Sequence, residues 1–345
     1  MRALRLTAWK ADPSLVEVAE PVAGPGEVVV RIAGAGACHS DLHLMHDFDA
    51  SMAPWSLPFT LGHENAGWVH ELGPGVSELS VGQPVAVSGA WGCGQCDRCR
   101  AGLENYCSHP EIAGPSGGLG RDGGMAELLL VPAARHLVPL PAGLDPVSAA
   151  PLTDAGLTPY HAIRRSEAKL GEGSNAVVIG VGGLGHLAVQ LLAATVPARI
   201  IAVDARAVAL ELARAAGAAD CVEAGPDAAT AIREATSGQG ADVVLDFVGL
   251  DATMALAASV ARPLGDVTIV GIGGGTLPVS FFSVPYEVSI QTTYWGNRWE
   301  LESLLALAAQ GKVRPQVTTY PLEQAVDVYH QLEGGHIAGR AVIEP

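Results

Sequence analysis

Residues 173–198 read GSNAVVIGVGGLGHLAVQLLAATVPA, and this stretch decides the fold. Asn175–Ile179 (NAVVI) is a short apolar run that stops at glycines. A run of that length bounded by turn residues reads as a buried strand, and Leu184–Ala194 after it reads as a helix. The stretch carries no Asp, Glu, Lys or Arg and exceeds the roughly 20 residues that a membrane helix needs. Its five glycines, histidine, glutamine and proline fit a strand, a glycine turn and a buried helix better.

The alternation continues outward. Arg199–Val203 (RIIAV) reads as a second buried strand, closed by Asp204, and Ala207–Ala216 as an alanine-rich helix stopped by Gly217. Ala241–Phe247 and Asp266–Gly271 read as two further strands. Strands alternating with helices predict a doubly wound parallel sheet of the Rossmann type. The first 150 or so residues have a different texture, of short strands such as Val28–Ile32, Val69–Leu72 and Val85–Val87 between glycine and proline turns. After about residue 290 the pattern changes again, to a helix at Glu300–Ala309, a strand at Gln316–Tyr320, a helix at Gln324–Leu332 and a closing strand at Arg340–Ile343. The expected class is α/β, a parallel sheet joined to a mainly β domain.

The run Gly180-Val181-Gly182-Gly183-Leu184-Gly185 sits between the predicted strand and helix. Glycines there allow a tight turn and let the backbone approach a pyrophosphate, and the helix N-terminus offers unpaired N–H groups. An acid about 20 positions further on holds the adenine ribose hydroxyls. Asp204 is placed for that role and repels a 2′-phosphate, which favours NAD over NADP; Arg206 tempers the preference. The plainer alternative is a glycine turn packed for steric reasons, with Asp204 a helix cap.

The chain has 345 residues, enough for about two domains. Its formal net charge is −16, which repels polyphosphate and argues against nucleic-acid partners. Hydrophobic residues make up 49% and charged residues 16%, so disorder is not expected. The opening residues, MRALRLTAWKADPSLVEVAE, hold no apolar core of signal-peptide length, so a cytoplasmic protein is expected.

Four of the six cysteines cluster as Cys93, Cys96, Cys99 and Cys107. That spacing suits four thiolates around a structural zinc, with Arg98 and Arg100 placed to offset the surplus negative charge.

Taken in order, Cys38-His39-Ser40-Asp41, Gly62-His63-Glu64 with Gly67, the four-cysteine lobe and the Rossmann glycines resemble the zinc-dependent medium-chain alcohol dehydrogenases of the bacterial secondary-alcohol type. The resemblance spans essentially the whole chain. It implies a GroES-like catalytic domain interrupted in sequence, expected at 1–153 and 291–345, and a Rossmann domain at 154–290. It implies two zinc ions per chain, NAD as cofactor, a small alcohol or ketone as substrate, and a homo-oligomer, with a tetramer favoured over a dimer. Neither nucleic acid nor membrane is an expected partner.

The resemblance makes Cys38 and His63 ligands of a catalytic zinc. Asp154 stands where yeast-type members place a cysteine and is the third expected ligand. Outside the lobe the chain has only Cys38 and Cys221, and Cys221 falls in the Rossmann half. Glu64 is expected near the metal, and Asp41 is placed to accept a bond from the His63 ring. In this family a zinc-bound alkoxide passes hydride to the nicotinamide, and the proton leaves through a hydroxyl and a histidine; Ser40 and His43 match those positions. His39 is expected to face cofactor or substrate. Trp55, Leu119, Tyr294 and Trp295 match positions that line the substrate pocket, which points to medium-sized or aryl secondary alcohols. The alternatives are a polyol or amino-alcohol dehydrogenase on the same scaffold, and a non-catalytic NAD-binding redox sensor with one structural zinc.

Overall fold

The computed structural model describes residues 1–52 and 55–345. The chain forms two compact units: Met1–Leu157, Trp295–Gly311 and Pro315–Pro345 make the first, and Thr158–Tyr294 with Lys312–Arg314 make the second.

In the first unit, the strand Val28–Gly36 is apolar on both faces, and only Arg31 along it is exposed. It pairs antiparallel with Glu64–Leu72, Leu128–Val131 and Arg340–Glu344. The sheet continues through Pro84–Val87 to Leu137–Pro139 on one side and to Val317–Pro321 on the other. Two glycines permit the central pairing. A Cβ on Gly67 would stand 2.0 Å from the Arg31 carbonyl, and one on Gly36 would stand 2.0 Å from Glu64 Oε2. Gly36 therefore leaves the space into which the Glu64 carboxylate folds. Leu4, Val30, Phe59, Leu61, Met125 and Tyr329 are among the side chains of the core beneath. Each large apolar side chain contributes roughly 1.5–3 kcal/mol by burial.

The second unit holds a six-stranded parallel sheet in the order 220–223, 199–204, 175–179, 241–246, 261–269, 289–292. The central strand Asn175–Ile179 is buried along its whole length, as a parallel strand covered on both faces requires. The chain first winds outward through 199–204 to 220–223 and then crosses to 241–246 on the other side of 175–179. That reversal of direction at 175–179 opens a crevice at the carboxyl ends of the strands.

Several elements differ from the sequence expectation. The strand expected at Val69–Leu72 begins at Glu64; its polar first residues hide a pairing that only the partner strand reveals. The strand expected from Asp266 begins at Ala261. The helix His39–His46 was not legible, because its buried residues include Asp41 beside Leu42, Leu44 and Met45, an aspartate where an apolar stripe needs a hydrophobe. Helices Ala228–Ala235 and Asp251–Val260, and the outer strands Asp220–Glu223 and Ser289–Thr292, were likewise unexpected.

Candidate metal centres and nucleotide site

Cys38 ends the segment after strand Val28–Gly36 and caps helix His39–His46. His63 follows Gly62, whose φ of +93° places it in the left-handed region, where a Cβ would also strike the Met125 backbone. Asp154 follows a tight turn over Ala150–Thr153, held by the Thr153 hydroxyl donating to the Ala150 carbonyl at 2.8 Å. With Glu64, these residues bring one ligand atom each within 4.8 Å of one another.

Asp41 organises this cluster from beneath. It is fully buried, and its Oδ2 accepts from the Cys38 backbone N–H at 3.0 Å and from the Tyr329 hydroxyl at 2.8 Å. Its Oδ1 lies 3.1 Å from His63 Nδ1. With Nδ1 facing that carboxylate, Nε2 lies 3.2 Å from Ser40 Oγ and 3.5 Å from Asp154 Oδ2. Burial opposes a charge on the His63 ring, but the Asp41 carboxylate and the bond to Asp154 push its pKa well above the usual histidine value.

Glu64 is fully buried and its Oε1 accepts from Arg340 Nη2 at 2.5 Å. Burial pushes the Glu64 pKa up to about 7 despite the guanidinium. Its other oxygen, Oε2, is buried with no hydrogen-bond partner among the described residues. A thiol, an imidazole nitrogen and carboxylate oxygens converging with one orphaned oxygen fit a divalent cation of zinc's borderline softness.

Trp295 takes a left-handed φ of +51°, is 5% exposed and sets its ring edge-on to His63 at 6.0 Å. Trp55 stacks on Phe48 and meets Phe59 edge-on. A Cβ on Gly120, next to Leu119, would meet the Trp55 ring at 2.3 Å. Both Trp55 and Leu119 pack on the first unit's core, whereas Tyr294 belongs to the second unit and is 53% exposed.

Cys93, Cys96, Cys99 and Cys107 also bring their sulfurs within 4.8 Å of one another, and none of the described cysteines is in a disulfide. Backbone N–H groups of Cys93, Gln95, Cys99 and His109 point at the sulfurs at 3.4–3.5 Å. The Cys99 N–H holds the Cys96 thiol down to about 6, while burial pushes Cys99 up to about 12. Such donors stabilise thiolates, and a single loop supplying four sulfurs fits a structural zinc. Arg100 is placed 3.9 Å from Asp97 at the surface, so part of its charge is already answered by a carboxylate. Glu104 clasps the lobe to the domain: it accepts from the Gly92 N–H and from Arg135 Nε at 3.1 Å, and its Oε2 lies 2.8 Å from His136 Nδ1.

In the second unit the glycines of the turn divide the work. Gly180 has φ +85° and abuts Val248. A Cβ on Gly185 would stand 1.9 Å from the Gly180 carbonyl. Above Gly182 the nearest atom a Cβ would meet is Arg206 Nη2, 3.8 Å away, so this is the face left open. Gly183 and Leu184 lead into helix Gly185–Thr195, with Leu184 as its cap. Asp204 ends its strand and is buried. It accepts from the Val181 N–H at 2.7 Å and from Arg206 N and Nε at 2.9 and 3.2 Å. The carboxylate thus braces the glycine turn.

The structure puts Ser40 against His63, and His43 with its Nδ1 2.5 Å from Asp47 Oδ2. His39 is exposed at the start of the same helix. Sequence reasoning missed Tyr329 and Arg340, whose contacts with Asp41 and Glu64 span 288 and 276 residues; no local signal could have found them.

Residues 24–142 match the alcohol dehydrogenase GroES-like domain family, and residues 183–310 match the zinc-binding dehydrogenase family. An alcohol dehydrogenase of Geobacillus stearothermophilus is 38% identical over all of this chain and 99% of its own length. An NAD-dependent alcohol dehydrogenase of Sulfurisphaera tokodaii is 37% identical over the whole of both chains. The crystal structure of the alcohol dehydrogenase of the hyperthermophilic archaeon Aeropyrum pernix superposes over the whole of both chains with a TM-score of 0.93 at 39% identity. No helix among the described residues is long and apolar enough to cross a membrane.

Proposed function

The chain belongs to the zinc-dependent family of medium-chain alcohol dehydrogenases and is an NAD-linked alcohol dehydrogenase, and from that premise we propose how its residues divide the work and which alcohols they accept. The carrying observation is the convergence of Cys38, His63, Glu64 and Asp154 within 4.8 Å, above an aspartate that fixes the histidine ring.

Cys38, His63 and Asp154 would hold a catalytic zinc, with Glu64 as an alternate ligand released or retained by Arg340. Cys93, Cys96, Cys99 and Cys107 would hold a structural zinc, making two ions per chain. A bound zinc supplies a Lewis acid that eases loss of a hydroxyl proton, and NAD supplies the hydride acceptor. Ser40 Oγ accepts the proton of the substrate hydroxyl as it gives up its own, and His43 delivers a proton to solvent at the end of the relay. Gly180, Gly182, Gly183, Leu184 and Gly185 bind the pyrophosphate through backbone N–H groups, Asp204 holds the adenine ribose, and His39 faces the cofactor or substrate. Trp55, Leu119, Tyr294 and Trp295 exclude water and favour medium-sized or aryl secondary alcohols and their ketones.

The protein is proposed to act in the cytoplasm as a homo-oligomer, with a tetramer favoured over a dimer. For association itself, Ser289–Thr292 lies at the edge of its sheet, and Phe281 and Phe282 nearby in sequence are 74% and 87% exposed. Unpaired strand edges and exposed aromatic patches invite partners.

The test is zinc content per chain together with NAD- and NADP-linked oxidation of a panel of primary, secondary, polyol and amino alcohols. Two zincs with preferred turnover of secondary alcohols supports the assignment. Preference for polyols or amino alcohols would move the substrate class and leave the metal sites standing. One zinc and no turnover would favour an NAD-binding sensor and make Asp154 the first ligand to abandon.

A further inference from the structure

Helix His39–His46 carries Ser40 and His43 three positions apart, on one face. The helix ends at Asp47, whose backbone N–H donates to the His43 carbonyl at 2.9 Å. The same residue sends its carboxylate back over the ring, with Oδ2 2.5 Å from His43 Nδ1. The neighbouring acids are engaged elsewhere. Glu333 lies 3.3 Å from His46 Nδ1, Asp49 accepts from Ser51 and faces Lys10, and Asp41 serves Cys38, His63 and Tyr329. Asp47 is thus the carboxylate that the fold assigns to His43.

A carboxylate can only accept, so the His43 proton sits on Nδ1 and Nε2 is left with a lone pair. The His43 side chain is 30% exposed and that of Asp47 60%, which places the pair where a proton can pass into water. We propose that Asp47 is a positioning residue for proton exit: it fixes the tautomer and orientation of His43 so that Nε2 receives the proton released during alcohol oxidation. One proton arrives on Nε2, the Nδ1–H bond to Asp47 stays in place, and the imidazolium passes a proton from Nε2 to water. The carboxylate remains ionised throughout. The inference rests on the relay role given to Ser40 and His43 above.

The experiment compares wild type, His43→Ala, Asp47→Asn, Asp47→Ala and the double variant His43→Ala/Asp47→Ala in NAD-linked alcohol oxidation. His43→Ala is expected to lower kcat about tenfold, a decade short of the smallest general acid–base effects, because water can replace the end of a relay. Asp47→Ala lowers kcat roughly threefold, the scale of a surface ion pair, with KM for NAD unchanged. Asp47→Asn, which keeps an acceptor oxygen, falls between wild type and Asp47→Ala. The double variant is no slower than His43→Ala, because the two residues act in series. Added imidazole restores both single alanine variants, which a merely structural role of Asp47 would not allow. If His43→Ala is impaired while Asp47→Ala matches wild type, or if the two losses multiply, the role of Asp47 is overturned and the relay stands. If His43→Ala is as fast as wild type, relay and inference fall together, while zinc-dependent turnover by wild type still upholds the enzyme assignment.

Discussion

The Tyr329 hydroxyl donates to Asp41 Oδ2 at 2.8 Å, inside the core and across 288 residues of sequence. Asp41 in turn touches the Cys38 backbone and the His63 ring, so a residue near the C-terminus braces two proposed metal ligands near the N-terminus. Tyr329→Phe should cost about 1–3 kcal/mol of stability, the penalty for leaving a buried acceptor short of a donor. It should also weaken zinc retention about 10–100-fold, as loss of an orienting partner does. Urea denaturation and zinc release to a chelator check both; a variant that matches wild type in each would separate Tyr329 from the site.

Arg340 is the buried counter-charge of Glu64, and both side chains are almost fully enclosed. Arg340→Met leaves that carboxylate uncompensated, so a loss of about 3–5 kcal/mol is expected. The double change Arg340→Met/Glu64→Gln should recover much of it. Chemical denaturation of the two variants decides; equal losses in both would show that packing, not charge, dominates there.

Cys38→Ala should abolish alcohol oxidation while leaving NADH binding nearly intact, because the thiol and the glycine turn belong to different units. Turnover assays beside fluorescence titration with NADH measure the two separately. A fully active variant would remove Cys38 from the ligand set.

Asp204→Ala should weaken NAD far more than NADP. The carboxylate offers acceptors to a ribose diol and repels a 2′-phosphate, while Arg206 beside it stays available to a phosphate. The ratio of kcat/KM for the two cofactors is the readout. Equal losses would mean that Asp204 acts only by bracing Val181 and the turn.

Acid should loosen the four-cysteine lobe at Glu104 and His136. Burial depresses the His136 pKa below 6.5, and contacts with His136 and Arg135 outweigh burial to depress that of Glu104 below 4.5. In both cases the unfolded chain binds protons more readily than the folded one. Stability is therefore full above about pH 6.5, declines as the pH falls through His136, and declines further below 4.5 through Glu104. Denaturation across that range should show Glu104→Gln declining more steeply than wild type between about pH 6.5 and 4.5, where His136 has lost the carboxylate that favours its charge, and less steeply below 4.5, where the Glu104 contribution is gone; parallel curves would dismiss the role of the pair.

The sequence by itself determined the elements whose chemistry is local. The glycine turn, the acid that ends the next strand and the four-cysteine lobe are each written within a few dozen residues, because a turn, a cap or a one-loop ligand set needs only neighbours. The buried parallel strands showed as apolar runs for the same reason. Resemblance carried Cys38, His63 and Asp154, which are far apart in the chain. Tertiary structure alone decided what holds them. Asp41 reaches Tyr329, Glu64 reaches Arg340 and Trp295 covers His63, and the closing strand Arg340–Glu344, by pairing with Val28–Gly36, is what brings Arg340 to the site. Helix His39–His46 was hidden because its buried face is shared with an aspartate, and so the return of Asp47 onto His43 was hidden with it. A buried polar group must find its partner wherever the fold supplies one, and sequence spacing carries no record of that choice.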